Sequence, residues 1–315
     1  MIFKLKSSVK DYIWGGTKLR DEYGKTGEYE RIAESWELSC HHDGLSIIEG
    51  INVPLVEYLA KHPEAMGENC KKFDDFPILI KLIDAKDNLS VQVHPNEKYA
   101  IEHEGEHGKT EMWYIIDCEP DSSIIYGFKD KITKKEFRQA IKNDTLFDKL
   151  NIVPVHKGDV FTIKAGMLHA IGKGILLAEI QQSSNVTYRV YDYGRNRELH
   201  IDKAIDVARL TPTPPTPIKP VENIKNSYAD DYKIINSKYF KVFLEHGNTK
   251  YISFHIPKKS SFTHVLVIEG NGIIQADYCT SETKIIKIKK GDSFFISAGS
   301  DWGILGNCSI IYTVI

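Results

Sequence analysis

The sequence predicts a mainly β protein made of two related β-modules, with a helical insertion and a metal site in the first module only. Three observations predict this arrangement. Short apolar runs separated by turn residues recur along most of the 315-residue chain, and such runs are typical of strands. One charged helical segment, at about residues 129–150, interrupts them. A strand–turn–strand sequence near the middle of the chain returns near its end.

Size and composition are those of an ordinary globular protein, with 42% hydrophobic and 27% charged residues. The formal net charge of -2 gives no global attraction to nucleic acid or to a membrane. The five cysteines are scattered and include no Cys-x-x-Cys pair, which argues against a disulfide framework or a thiolate zinc site. No stretch approaches the roughly 20 apolar residues that span a bilayer. We expect a cytoplasmic protein without an obligate protein partner.

The elements divide the chain into three predicted parts. Residues 1–210 form a metal-bearing catalytic domain that contains the insertion at about 129–150, residues 211–235 form a proline-rich linker, and residues 236–315 form a degenerate second module without metal. The linker begins with Thr-Pro-Thr-Pro-Pro-Thr-Pro, which is too rich in proline for a helix or a central strand. In chain order we expect strands over 1–50, a helix over 54–72, strands over 77–83, 89–94, 159–163, 175–180 and 186–191, and a helix over 201–210.

An internal repeat links the two modules. Residues 157–171 align without gaps on residues 290–304 and share glycine, phenylalanine and isoleucine positions. His169 of the first copy aligns with Trp302 of the second. If both copies fold alike, an aromatic side chain fills the second module where the first has a candidate ligand. Chance similarity of two strand–turn–strand segments is the alternative.

The candidate ligands lie on the predicted strands. Gln92 and His94 are two residues apart and therefore point to one face of a strand. Glu111 opens a later apolar run, and His169 closes the first copy of the repeat. Two imidazoles, one carboxylate and one amide oxygen suit one zinc ion per chain, at roughly 2.0–2.2 Å from each nitrogen or oxygen. Manganese and iron are alternatives with the same ligand types.

Two halves of the cupin signature are recognisable around these ligands. The pattern Gly-x5-Lys-x-Gly-x2-His that ends at His169 resembles its second half. Gln92-x-His94 followed by Glu111 resembles its first half, with glutamine in place of the usual first histidine and a longer gap before the glutamate. The resemblance implies two cupin-type, jelly-roll-like β-barrel modules.

A closer resemblance, to the short bacterial form of type I phosphomannose isomerase, covers nearly the whole chain. It starts at Trp14-Gly15-Gly16 and rests mainly on four motifs: Ser90-Val-Gln-Val-His-Pro95, Gly108-Lys-Thr-Glu-Met-Trp-Tyr114, Gly166-Met-Leu-His-Ala170 and Glu179-Ile-Gln-Gln-Ser-Ser-Asn-Val-Thr-Tyr-Arg-Val-Tyr-Asp192. The resemblance implies an isomerase that interconverts mannose 6-phosphate and fructose 6-phosphate. It also implies that the zinc ligands are Gln92, His94, Glu111 and His169, with Arg189 and Lys109 in the active site.

The chain departs from the long forms of the family at two places. Asn185 stands where those forms have aspartate, so that any acid role there is lost. Gly108 stands where they have histidine, which removes a second candidate base.

An aldose–ketose isomerisation needs a base that moves a proton between C1 and C2, and groups that stabilise the cis-enediolate oxygens. Zinc would act as a Lewis acid on O1 and O2. Arg189 suits phosphate or enediolate oxygens, and a surface ion pair is its alternative role. Lys109 shares a strand face with Glu111 and is either a phosphate contact or a proton shuttle.

Three further residues are candidates. Glu179 is a candidate proton acceptor, or else it orients a metal ligand. Lys81 lies in an apolar strand and either binds substrate or forms an ion pair inside the barrel. Ser90 shares a face with Gln92 and either contacts substrate or is an ordinary strand serine.

Two other functions remain open. A cupin oxygenase would use iron and would have no special use for Arg189 together with Lys109. A non-catalytic cupin that binds a sugar phosphate would not need the intact first site.

Overall fold

A computed structural model describes residues 1–214, 224–226, 229–247, 249, 253–255, 260–277 and 283–315. The fold is mainly β, as the sequence predicts. The strands are β1 (Ile2–Lys6), β2 (Ser8–Lys10), β3 (Glu34–Leu38), β4 (Ile47–Ile48), β5 (Val53–Pro54), β6 (Ile78–Ala85), β7 (Val91–Val93), β8 (Glu111–Cys118), β9 (Ser123–Phe128), β10 (Leu150–Pro154), β11 (Val160–Ile163), β12 (His169–Ile171), β13 (Ile175–Gln182), β14 (Tyr188–Tyr191), β15 (Ile224–Asn226), β16 (Ala229–Asn236), β17 (Lys241–His246), β18 (Ser253–His255), β19 (Thr263–Ala276), β20 (Lys284–Lys289), β21 (Ser293–Ile296) and β22 (Trp302–Val314).

The helices are short. They are α1 (Lys18–Asp21), α2 (Leu55–Lys61), α3 (Glu97–Glu104), α4 (Lys134–Lys142) and α5 (Ile201–Val207), with 3-10 turns at Pro63–Met66, Glu68–Lys72 and Leu146–Lys149. The helix predicted over 54–72 ends early because Pro63 starts a new turn and Gly67 has a φ of 83°. In the part of the chain that is described, no helix is long and apolar enough to cross a membrane.

The chain forms two compact units. The terminal unit contains Met1–Asp11, Thr17–Leu82 and Lys219–Ile315, and the central unit contains Tyr12–Gly16 and Ile83–Ile218. This division differs from the predicted one, which placed residues 1–210 in a single domain. The reason is non-local strand pairing, since β1 pairs with β21 and with β4, so that N-terminal strands complete a C-terminal sheet.

The terminal unit is organised around one large antiparallel sheet. Its strand order is β15-β16-β17-β22-β19-β21-β1-β4-β5, with β18 on β22 and β20 on β19. Trp302 is buried in the apolar core of this unit and meets Tyr312 edge to face, with ring centroids 5.4 Å apart. Of the predicted linker, residues 215–223 and 227–228 lie outside the described residues, and its predicted end at 235 falls inside β16.

The central unit contains a five-stranded sheet of order β10-β9-β12-β7-β14, and a second sheet in which β8 lies between β11 and β13. Helix α4 and the 3-10 turn after it lie within the predicted insertion. Together with α5 they share an apolar cluster with Val91 and Val93 of β7. Because side chains alternate along a strand, Gln92 points to the opposite face of that sheet.

Strand register extends the internal repeat. On β11, Ile163 pairs with Glu111 of β8, and on β21, Ile296 pairs with Thr263 of β19. Ile163 aligns with Ile296 in the sequence, so Thr263 lies opposite Ile296 as Glu111 lies opposite Ile163.

Candidate metal centre

Three buried side chains of the central unit converge. His94 follows β7, Glu111 begins β8 and His169 begins β12. The two Nε2 atoms are 3.1 Å apart. Each lies 3.5 Å from an oxygen of the Glu111 carboxylate. All three residues are at most 1% exposed, and their donor atoms lie within 4.8 Å of one another.

The hydrogen bonds of the two rings define which nitrogen faces the centre. His94 Nδ1 lies 2.8 Å from the carbonyl oxygen of Val186, and His169 Nδ1 lies 2.8 Å from that of Met167. A carbonyl only accepts, so each Nδ1 carries the proton and each Nε2 presents a lone pair. Burial lowers the pKa of His169 to about 4, which keeps the ring neutral near pH 7. Two lone pairs and a carboxylate turned toward one point repel each other unless a cation lies between them, so the donor set fits a divalent metal ion.

Gln92 lies beside this group. It pairs with His169 of β12 on one side and with Arg189 of β14 on the other, so the three side chains form a row on one face of the sheet. The Gln92 amide nitrogen is 3.4 Å from His169 Nε2, and the Ser90 hydroxyl donates to the amide oxygen over 3.2 Å. A half-turn of the amide would direct its oxygen to the same point as the imidazoles.

A buried ion cluster lies next to Glu111. The Lys109 ammonium is 2.8 Å from Glu111 Oε2 and 3.6 Å from Glu179 Oε1. The indole N–H of Trp113 donates to Glu179 Oε2 over 2.9 Å, and the Trp113 ring meets His169 edge to face. Sequence reasoning missed Trp113, although its position two residues after Glu111 places it on the same strand face.

Arg189 differs from the two arginines that follow it. Arg197 makes two hydrogen bonds to Asp192, and Arg195 is 2.7 Å from Asp87. Arg189 Nη1 donates instead to the Glu198 carbonyl over 2.9 Å. Its Nε is buried and has no hydrogen-bond partner among the described residues. Burial, together with the charge of Arg197, lowers the pKa of Arg189, yet arginine stays charged in proteins.

Eight of the nine predicted site residues belong to the central unit. Lys81 belongs to the terminal unit. There it is buried, with its ammonium 3.4 Å from Glu34 Oε2 and 4.9 Å from the centre of the Trp36 ring. An ion pair of this kind was the alternative role for Lys81 in the sequence analysis, beside substrate binding. Ser90 is buried and its hydroxyl is bound to Gln92.

Known proteins resemble this chain over most of its length. Residues 2–142 match the family model described as phosphomannose isomerase type I, catalytic domain. The chain is 38% identical over 305 residues to mannose-6-phosphate isomerase ManA of Bacillus subtilis, an alignment that covers 93% of this chain and 92% of that protein. The chain belongs to the type I phosphomannose isomerase family. Another family member, the mannose-6-phosphate isomerase of Streptococcus mutans, is 46% identical over 215 residues, which are 65% of this chain and 67% of that protein.

Solved structures of phosphomannose isomerases have the same fold. The crystal structure of the Bacillus subtilis mannose 6-phosphate isomerase superposes with a TM-score of 0.88 at 34% identity, covering 100% of this chain and 99% of that one. A variant of the Salmonella typhimurium phosphomannose isomerase superposes with a TM-score of 0.79 at 18% identity, covering 99% and 98%, and this likeness bears on the fold alone. The prediction that the chain is an isomerase of this family is confirmed.

Proposed function

We propose that this enzyme interconverts D-mannose 6-phosphate and D-fructose 6-phosphate at the centre formed by His94, Glu111 and His169, with one zinc ion bound there. The observation that carries the proposal is the pair of imidazole Nε2 atoms 3.1 Å apart beside a buried carboxylate. Gln92 supplies the fourth ligand through its amide oxygen. The substrate is inferred from the names of two relatives, both of which are called mannose-6-phosphate isomerase.

Zinc fits the donor set because it accepts imidazole nitrogen and carboxylate oxygen in a four-coordinate site. Bound there, it would supply positive charge that stabilises negative oxygens of the sugar. Glu111 is the one carboxylate among the proposed ligands, so the loaded site keeps a net positive charge.

Proton transfer between C1 and C2 requires an acceptor near the reacting carbons. Glu179 is the proposed acceptor. One of its oxygens is held by Trp113 and the other faces Lys109. The Lys109 ammonium lies between two carboxylates and acts as a hydrogen-bond donor, so that it stabilises the developing enediolate oxygens.

Arg189 is the proposed anchor for anionic oxygens of the substrate. It lies in the same row of the sheet as Gln92 and His169. Neighbouring Arg195 and Arg197 are already bound to aspartates, whereas Arg189 Nε is buried without a partner among the described residues. A guanidinium in this state can bind a phosphate or an enediolate in two-pronged geometry.

The terminal unit is proposed to hold a second copy of the module that binds no metal. Strands β11 and β21 are equivalent in the sequence repeat, and each pairs with an antiparallel neighbour, β11 with β8 and β21 with β19. Thr263 and Trp302 then stand where the first copy has Glu111 and His169.

The cytoplasm is the proposed location. The four cysteines in the described part of the chain, Cys40, Cys70, Cys118 and Cys308, are free thiols, as expected for a reducing compartment.

The deciding experiment is a coupled assay on mannose 6-phosphate after chelation and after return of zinc, manganese or iron. Activity should disappear with the metal and return with zinc. His169→Ala should lose both metal and turnover, and a variant that kept both would overturn the proposal. Activity found only with iron and oxygen would support an oxygenase. Binding of the sugar phosphate with no exchange of isomers in deuterated water would support a non-catalytic binding protein.

A further inference from the structure

We infer that Glu97 and Gln182 are positioning residues for Lys109. They hold the segment of residues 105–110, here called the lysine loop, which connects α3 to β8. The inference rests on the proposed role of Lys109 in the reaction. Neither residue was a candidate in the sequence analysis.

The Glu97 carboxylate is the centre of the arrangement. Glu97 is the first residue of α3, and its Oε2 accepts hydrogen bonds from the Gly108 backbone N–H and from the Gln182 side-chain amide, each 3.0 Å long. Its Oε1 lies 2.6 Å from His107 Nδ1. One side chain therefore binds two residues of the lysine loop and the end of β13.

Gln182 continues the arrangement on the other side of Lys109. The side-chain oxygen of Gln182 accepts a hydrogen bond from the backbone N–H of Thr110 over 3.0 Å. The backbone N–H of Gln182 donates to the Thr110 carbonyl over 3.1 Å. The Lys109 N–H donates to the Pro95 carbonyl over 3.1 Å. The N–H groups of three consecutive residues are thus bound by three separate partners, although the lysine loop has no helix or strand ladder to satisfy them.

Packing at Gly108 makes this arrangement tight. A Cβ atom added to Gly108 would lie 2.4 Å from the backbone nitrogen of Glu97 and 2.6 Å from the carbonyl carbon of Asn96. These are backbone atoms of the first turn of α3 and cannot move aside as a flexible side chain does. The lysine loop therefore packs directly on the helix at Gly108.

The consequence concerns the ammonium of Lys109. Its backbone is fixed by contacts on both sides, and its side chain reaches Glu111 and Glu179 at 2.8 and 3.6 Å. A backbone shift of about 1 Å would break this placement, and misplacements of that size can cost on the order of 100-fold in rate. Glu97 and Gln182 act through Lys109, since their side-chain hydrogen bonds go to the lysine loop and to each other.

A purely structural role makes a different prediction. A carboxylate in the first turn also favours the helix through its dipole. If that were its only role, removing Glu97 would lower the stability of the protein but would leave kcat of the folded enzyme unchanged.

The test compares the full-length zinc-loaded wild type with Glu97→Ala, Glu97→Gln and, as a matched control, Glu102→Ala, which removes an exposed carboxylate from the same helix. Amide hydrogen exchange over residues 108–110 reports on the loop, and steady-state kinetics reports on the reaction. Glu97→Ala should exchange faster at Gly108 and Thr110 and should lose on the order of 10- to 100-fold in kcat, with a smaller change in KM. Glu97→Gln keeps an acceptor oxygen and should recover most of both, and Glu102→Ala should match the wild type.

Gln182→Ala is a second, independent variant for the same measurements. If Glu97→Ala does not fold, Glu97→Asp takes its place. Losses from the Glu97 and Gln182 variants should combine non-additively, as expected for residues of one network. Unchanged exchange in Glu97→Ala, faster exchange with unchanged kcat, or a fall in bound zinc in that variant would each overturn the inference. A wild type without isomerase activity would instead refute the proposed function, and the exchange comparison alone would then decide whether the two residues hold the loop.

Discussion

His94 and His169 face each other through their Nε2 atoms at 3.1 Å, and a backbone carbonyl binds each ring from behind. The two carbonyls belong to Val186 and Met167, which lie in the connections that precede β14 and β12. Ring orientation and tautomer are thereby determined by the backbone, so the centre is prepared for a cation by the fold itself.

Zinc should stabilise the folded protein, because it relieves the repulsion between these lone pairs and binds the unfolded chain weakly. At a free concentration 100 times its Kd, a ligand of this kind adds about 2.7 kcal/mol. The melting temperature of the chelated protein, measured with increasing zinc, checks this expectation. His169→Ala should lose the shift, and His103→Ala, an exposed histidine of α3, should keep it. A shift that persists in His169→Ala would place the ion elsewhere.

Arg189→Lys should lower kcat/KM by about 10- to 100-fold, because hydrogen bonds to charged groups contribute about 1.5–3 kcal/mol and lysine lacks the planar fork. Arg195→Lys is the matched control, since Arg195 is already paired with Asp87. Steady-state kinetics on mannose 6-phosphate measures both variants. Equal losses in the two would mean that Arg189 has no special contact with substrate.

Trp113→Phe should retain zinc but lose about 10-fold in kcat, since Glu179 then lacks the indole N–H that holds one of its oxygens. Metal analysis and kinetics are the measurements. Combining Trp113→Phe with Glu179→Gln should add little to the effect of Glu179→Gln alone. Full additivity would show that Trp113 acts elsewhere.

Lys81→Met should destabilise the protein by about 3–5 kcal/mol, because it leaves the buried Glu34 carboxylate without its ion pair. The double variant Lys81→Met with Glu34→Gln should recover part of that loss. Urea unfolding measures stability, and KM for mannose 6-phosphate measured on the same proteins tests the other role of Lys81. A raised KM with unchanged stability would favour substrate binding.

The free energy of unfolding should decrease as the pH is lowered, because of His264. This residue is completely buried in the terminal unit and hydrogen-bonded to Ser293. Burial, together with the charge of Lys25, lowers its pKa to about 3, whereas an unfolded chain protonates histidine below about 6.5. Between these pH values the unfolded state binds more protons, so stability present at neutral pH is lost as pH falls, by at most about 1.4 kcal/mol per pH unit. Urea midpoints of the wild type and of His264→Met should converge as pH drops. Parallel curves would contradict the assignment.

Local patterns indicated the residues of the candidate metal centre. The alternation Gln92-x-His94, the repeat that ends at His169 and the apolar run opened by Glu111 indicated residues that the fold brings into one cluster or beside it. The division into units was not predictable in this way, since it depends on Ile2 pairing with Ile296 across nearly the whole chain. Helix α3 was missed because four of its eight residues, Glu97–Glu104, are charged and only Ala100 is buried.

Strand β7 is three residues long, and its two faces serve different tasks. Val91 and Val93 belong to the same apolar cluster as Phe137 of the insertion, while Gln92 stands in the row with His169 and Arg189. A single layer of backbone thus separates the apolar cluster of the insertion from the row of candidate site residues. Substitutions that loosen packing around Phe137 should therefore impair turnover on warming before the protein unfolds, which makes the interior of the insertion the natural place to look for heat-sensitive alleles.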